Sequence, residues 1–330
     1  MNEGRVRIVD IADELGVSTA TVSNVIHGKT KKISDETVRR VQELLEKRQY
    51  IPSMAAVLLA QNNSRIIGIV INDHPKYEGH VLEDAFVASS LNFLSREIEK
   101  AGLFMMVRVE QDWNEIVRFA SMWNMEGLVL IGFCEQDYKK LREHMKIPFV
   151  VYDGCFQKTE RFCNLTINNY DGGFRMGRHF KMRGYTKAIC ISDNDSFVDH
   201  ERITGFRAGL DMDAPLLLIP MKKEARSVFY EKHLKQILEC DAVFAVSDYY
   251  AIELMHFLQK HGVIIPRDIK IAGFDDNPIC QNVYPTLTTI HQDGRLRAKE
   301  AIQLLCQMRN GAEEGRTVET PIELIIREST

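Results

Sequence analysis

The chain has 330 residues, 45% of them apolar and 27% charged, enough to build more than one hydrophobic core. Lys and Arg number 42 against 46 Asp and Glu, a formal charge of −4 that excludes a wholly polybasic protein but not a small DNA-reading module. No run approaches the roughly 18 apolar residues of a membrane span, the N-terminus lacks a secretory pattern, and seven scattered cysteines without a C-x-x-C pair read as reduced thiols, so a soluble cytoplasmic protein is expected.

Helix signals are dense at the N-terminus. Ile8, Ile11, Ala12 and Leu15 recur at helical spacing until Gly16 stops them. Ser18 then caps a second helix running to about His27, with Val17 and Val22 spaced as a hydrophobic staple. Ser34 caps a third, on which Val38, Val41, Leu44 and Leu45 form the buried stripe. Three short helices with a tight turn between the first two make a helix-turn-helix unit. Its second helix turns Thr19, Ala20, Ser23, Asn24 and His27 away from Val22, Val25 and Ile26. That face is either the polar side of an ordinary bundle or a surface small enough to enter a major groove, where Asn pairs with adenine. Charge alone is a poor guide, since residues 1–60 hold nine Lys/Arg against eight Asp/Glu. Residues 53–60 spell a two-turn apolar helix ending in Leu58-Leu59-Ala60. It reads either as a linker docked on the larger domain or as a hinge that folds on DNA and wedges a leucine into the minor groove.

The run from Val6 to Lys29, through Asp10-Ile-Ala, Gly16-Val-Ser, Thr21-Val-Ser and His27-Gly, with Tyr50-Ile-Pro-Ser-Met-Ala-Ala, resembles the head of LacI/GalR-family transcriptional regulators. The resemblance implies base reading by Thr19, Ala20 and Asn24, phosphate contacts from Ser18, Thr21, Ser23 and His27, and intercalation by Leu59. Two positions depart from the family: Val57 stands where many members carry Arg, and Arg7 where the first helix usually has a Thr or Ser cap.

Beyond residue 65, apolar runs at 66–71, 103–107, 128–131, 149–152, 188–191, 216–219, 242–246 and 269–274 alternate with helix-length amphipathic stretches at 83–101, 112–124, 136–146, 170–183, 200–210, 227–239 and 249–261. Continuous apolar strands separated by helices mean parallel sheets covered on both faces. Two groups of four predict two doubly wound lobes with a ligand cleft at the carboxyl ends of the strands. Asp73, Ser247-Asp248 and Gly273-Phe-Asp-Asp276 fall at such ends. Arg202 opens a helix beside them. Asp275 and Arg202 suit a clamp on a polyol or heterocycle, or equally a rim salt bridge. Gly262-Val-Ile-Ile-Pro-Arg-Asp-Ile-Lys-Ile-Ala-Gly-Phe-Asp-Asp-Asn and Pro285-Thr-Leu-Thr-Thr-Ile-His-Gln resemble the effector domain of the same family. The resemblance places effector contacts at Arg202, Ser247, Asp275 and Gln292, and Asp73 joins them as a candidate from its place after the first strand. Met221 stands where members often stack an aromatic ring. The loop Asp73–His80 brings Tyr77 or His80 to the cleft or runs over the surface; the surface course is the favoured reading.

No dinucleotide, P-loop, nucleophile-elbow or zinc motif is present, so no enzyme, cofactor or metal site is expected. The expected architecture is a small all-α helix-turn-helix head (residues 1–51), a hinge helix and linker (52–64), and an α/β two-lobed core of doubly wound parallel sheets (65–330), like a periplasmic binding protein. The expected function is a DNA-binding repressor that reads a palindromic operator as a homodimer, under a small sugar-like effector. A nucleobase-responsive corepressor type is the alternative, and a sugar-binding transport component the remote one. The apolar run at 322–326, followed at once by the terminus, leaves no room for a leucine-heptad tail, so a dimer rather than a tetramer is expected.

Overall fold

The structure is a computed structural model that describes residues 6–51, 64–154, 162–311 and 315–330. The hinge segment with Val57 and Leu59 lies outside the described residues. The chain divides into two compact units, Met1–Ser64 and Arg65–Thr330.

The first unit holds α1 (Ile8–Leu15), α2 (Thr19–Ile26) and α3 (Asp35–Lys47) around Ile11, Ala12, Val22, Val25, Val41 and Leu44. Gly16 ends α1 in the left-handed region at φ +65°, a conformation that favours glycine. Ser18 and Ser34 cap α2 and α3 by accepting from the backbone N–H groups of Thr21 and Thr37. At Arg7 the missing Ser or Thr cap is replaced from the other side. Asp10 accepts the Arg7 backbone N–H at 2.8 Å and its guanidinium at 3.1 Å, which places a carboxylate on the positive end of α1.

The second unit is built on two parallel sheets. The N-terminal lobe contains β1 (Ile66–Ile71), α4 (Ala85–Lys100), β2 (Phe104–Val109), α5 (Trp113–Met122), β3 (Gly127–Ile131), α6 (Glu135–His144), β4 (Phe149–Tyr152) and β5 (Cys163–Ile167). The C-terminal lobe contains α7 (Asn169–Met182), β6 (Ala188–Ser192), α8 (Phe197–Leu210), β7 (Leu216–Leu218), α9 (Lys223–Leu238), β8 (Ala242–Ala245), α10 (Asp248–Lys260) and β9 (Lys270–Ala272). The chain then runs through β10 (Thr289–Gln292), α11 (Gly294–Arg309), β11 (Thr317–Thr320) and β12 (Ile322–Ile325). The sheet orders are β11-β5-β4-β3-β1-β2 and β7-β6-β8-β9, and β10 pairs antiparallel with β12.

The lobes are therefore six- and four-stranded, not four and four. Strands β5, β10 and β11 and helix α11 escape the sequence pattern. Period-2 burial explains the N-terminal sheet: Ile67, Ile69 and Ile71 face α4 and α11, whereas Ile66 and Val70 face α5 and α6. The chain passes between the lobes three times, at β5–α7, β10–α11 and β11–β12, and the first two passages carry Asn169 and Gln292.

Candidate functional site

On α2 the buried Val22 and Val25 orient everything else. Ser18, Thr19, Ala20 and Asn24 are exposed, and Thr21, Ser23 and His27 are half-buried beside them. The side chains are short, so the helix backbone can approach a groove closely. Ser18 spends its hydroxyl on the cap, 3.1 Å from the Thr21 N–H and 2.9 Å from the Thr21 hydroxyl. His27 donates from Nδ1 to the Ser23 carbonyl at 2.7 Å, which leaves Nε2 as the end that can meet a phosphate.

The cleft of the second unit is built where the crossovers meet the strand ends. Asp275 follows β9 with φ +116°, a strained conformation for a residue with a side chain, and its N–H donates to Ile290 at 2.9 Å. Gln292 donates from Nε2 to Asp275 Oδ1 at 2.6 Å, and Arg202 lies 3.6 Å from the same oxygen. The Arg202 guanidinium is itself buried. It donates to Asn169 Oδ1 at 2.9 Å and to the Val246 carbonyl at 2.7 Å, and it sits 3.8 Å over the Phe274 ring. Burial, reinforced by Asp248 and Asp84, pushes the Asp275 carboxyl well above the usual carboxylate range despite Arg202. Asp276, next in sequence, goes the other way: burial opposes its charge, but His291 at 2.9 Å and Arg327 at 2.6 Å hold it ionised.

From the N-terminal lobe, the loop after β1 turns inward. Tyr77 and Lys76 are half-buried, with the ammonium 5.0 Å from the Tyr77 ring centroid. Burial opposes the Lys76 charge, yet Tyr77 and the carboxylates of Asp193, Asp199 and Asp84 together hold its proton more tightly than usual. Asp193 and Asp199 belong to the other lobe, so this lysine reaches across. His80 stays exposed, paired with Glu83.

Residues 7–53 match the bacterial regulatory proteins of the lacI family, and residues 178–330 match the periplasmic binding protein-like domain. The chain joins a lacI-family regulatory head to a periplasmic binding protein-like domain. Among its relatives, the HTH-type transcriptional repressor PurR of Aliivibrio salmonicida is 28% identical over 337 residues, covering 98% of each chain. The PurR repressor of Vibrio parahaemolyticus is 26% identical, covering 97% of each chain. A lac repressor dimer bound to operator and the anti-inducer ONPF has the same fold, with a TM-score of 0.84 over 99% of each chain at 21% identity. A lacI-family regulatory head on such a domain marks a DNA-binding transcriptional regulator rather than an enzyme. Among the described residues no helix is long and apolar enough to cross a membrane.

Of the sequence-predicted effector residues, Arg202, Asp275 and Gln292 come together in one buried cluster. Ser247 caps α10 by accepting from the Tyr250 N–H at 3.4 Å. Asp248 does not line the cleft as a free carboxylate. It is fully buried, accepting from the Thr289 hydroxyl at 2.6 Å and the Asn277 N–H at 2.8 Å. Asp73 keeps one buried carboxylate oxygen without a donor among the described residues. Met221 is partly exposed, and its carbonyl accepts from Arg226. The favoured surface course of the loop is corrected by Tyr77 and Lys76. Sequence reading missed Arg297, a 2% exposed cation on α11. Its signal was a charge interrupting the apolar stripe of an amphipathic stretch.

Proposed function

We propose that the chain represses transcription as a homodimer on a two-fold symmetric operator, and that a neutral small molecule in the interlobe cleft sets operator affinity. Thr19, Ala20 and Asn24 read bases, with Ser18, Thr21, Ser23 and His27 on phosphates and Leu59 as the minor-groove wedge of the hinge. In the cleft Arg202 and Asp275 form the clamp, supported by Gln292, with Asp73, Ser247 and Met221 on its rim. The reading of a neutral ligand rests on charge. Arg297 is paired with Asp153, Arg202 already donates to Asn169 and the Val246 carbonyl, and Asp193 and Asp199 place negative charge beside Lys76, so a phosphate or carboxylate would have to displace existing partners. A sugar fits this donor and acceptor set. A purine base is the second reading, the class to which the name of the PurR relatives points. A repressor of this kind works in the cytoplasm beside the chromosome.

One observation carries the DNA-reading role: the exposed Thr19-Ala20-Asn24 face opposite Val22 and Val25. Selection from random duplexes, with the wild type and Asn24→Ala in parallel, tests it. The wild type is expected to return two half-sites centred about one helical turn apart. Asn24→Ala is expected to lose preference at one or two base pairs per half-site, on the order of 1–3 kcal/mol each. An unchanged consensus removes Asn24 from base reading. Light scattering on the free protein checks the dimer.

A further inference from the structure

A continuous chain of buried polar groups leaves the clamp and enters the other lobe. Gln292 donates to Asp275 through Nε2, so its oxygen is turned away, and that oxygen accepts from Arg297 at 3.0 Å. Arg297 then donates to the Leu165 carbonyl of β5 at 2.9 Å and pairs with Asp153, just past β4, at 2.7 Å. Its guanidinium lies 4.4 Å from the Tyr152 ring centroid at the end of β4. Arg297 and Gln292 are 2% and 8% exposed, so water does not compete for these bonds.

The order of donors and acceptors is forced. An arginine can only donate, so the Gln292 oxygen must face it and the Gln292 amide nitrogen must face Asp275. The amide cannot flip without setting Arg297 against an N–H and Asp275 against an oxygen. A change at Asp275 is therefore a change at Gln292, and the next rigid partner lies in the N-terminal sheet. Arg297 Nε and the Tyr152 hydroxyl, both buried, have no hydrogen-bond partner among the described residues, so Gln292, Leu165 and Asp153 hold the guanidinium through its two terminal nitrogens.

We propose that Arg297 is a positioning residue that, through Gln292, carries the state of Asp275 from the C-terminal lobe to β4 and β5. The inference rests on the reading of Arg202 and Asp275 as the effector clamp, but its test needs no effector and fails separately from that reading. Hydrogen exchange by mass spectrometry on the full-length protein is the measurement. Asp275→Gly removes the carboxylate at a φ open to glycine. It is expected to speed exchange of peptides spanning residues 149–152 and 163–167 on the order of tenfold, the factor that leaving one buried amide donor unsatisfied gives. The same substitution made in an Arg297→Met background is expected to leave those peptides unchanged relative to Arg297→Met alone. Should Arg297→Met fail to fold with Asp153 left unpaired, Gln292→Leu cuts the chain in its middle and keeps that ion pair; the same loss of transmission is expected. Equal acceleration with and without the relay would overturn the proposal, as would acceleration confined to C-terminal-lobe peptides. A role of Arg297 in stability alone predicts additive changes and is excluded by the expected result.

Discussion

Two adjacent aspartates show how far environment outranks residue type. Asp276 meets His291 and Arg327 and stays ionised, while Asp275 is buried among other carboxylates and keeps its proton. The sign of the pH effect follows. Below the usual carboxylate value near 4, both folded and unfolded chains hold the Asp275 proton. As pH rises from there to about 8, the unfolded chain releases the proton and the folded one retains it, so stability falls across that window and levels off above it. Asp275→Asn is expected to flatten the decline, by a difference on the order of a few kcal/mol at the alkaline end. Melting temperatures of the two proteins from pH 4 to 9 check this, and parallel profiles would show that Asp275 is not the buried acid. The identity of these residues was legible in the sequence, because a strand end followed by Gly273-Phe-Asp-Asp276 marks a ligand crest. Asp275 was the one named for the clamp; that Asp276 is engaged by Arg327 and His291 was not legible, because the final crossovers bring those residues in.

At the scale of elements, α7 and α8 cross almost backbone to backbone. A Cβ on Gly173 would lie 2.0 Å from the Arg202 carbonyl oxygen, and one on Gly205 would lie 2.0 Å from that of Tyr170. This crossing seats Arg202 in the cleft floor, so the glycines serve the clamp through helix packing. Gly205→Ala is expected to cost at least about 3 kcal/mol, at or beyond the upper end of ordinary overpacking, because the obstacle is backbone and cannot rotate away. Gly184→Ala, at φ +77° with open space around it, costs only the left-handed strain of about 1–2 kcal/mol. Urea unfolding of both variants compares them; equal losses would mean that the crossing relaxes. Apolar runs such as Ile66–Ile71 announced their strands because both faces are buried. The Thr289–Gln292 and Thr317–Thr320 strands each carry one apolar residue among three polar ones, too little to separate from loop, and α11 hid behind Arg297 on its own buried face.

For the whole molecule, three crossovers and a shared buried polar chain make the two lobes one mechanical unit, and the charge of their cleft decides what enters. Lys76 from one lobe is already drawn to Asp193 and Asp199 of the other, so the cleft holds its own cation and has no need of an anionic ligand's counter-charge. A ligand that binds only the folded state stabilises it by about 2.7 kcal/mol at a hundred times its dissociation constant. For a domain of this size that raises the melting temperature by roughly 5 °C or more. A thermal-shift screen with neutral sugars, free purine bases and sugar phosphates is therefore expected to give such shifts only among the neutral compounds. Asp275→Ala is expected to abolish the shift while leaving a folded protein, because the carboxyl supplies one jaw of the clamp and little of the core. Stabilisation by sugar phosphates alone, undiminished in Asp275→Ala, would show that the ligand pairs with a cation elsewhere and would overturn both the neutral ligand and the clamp.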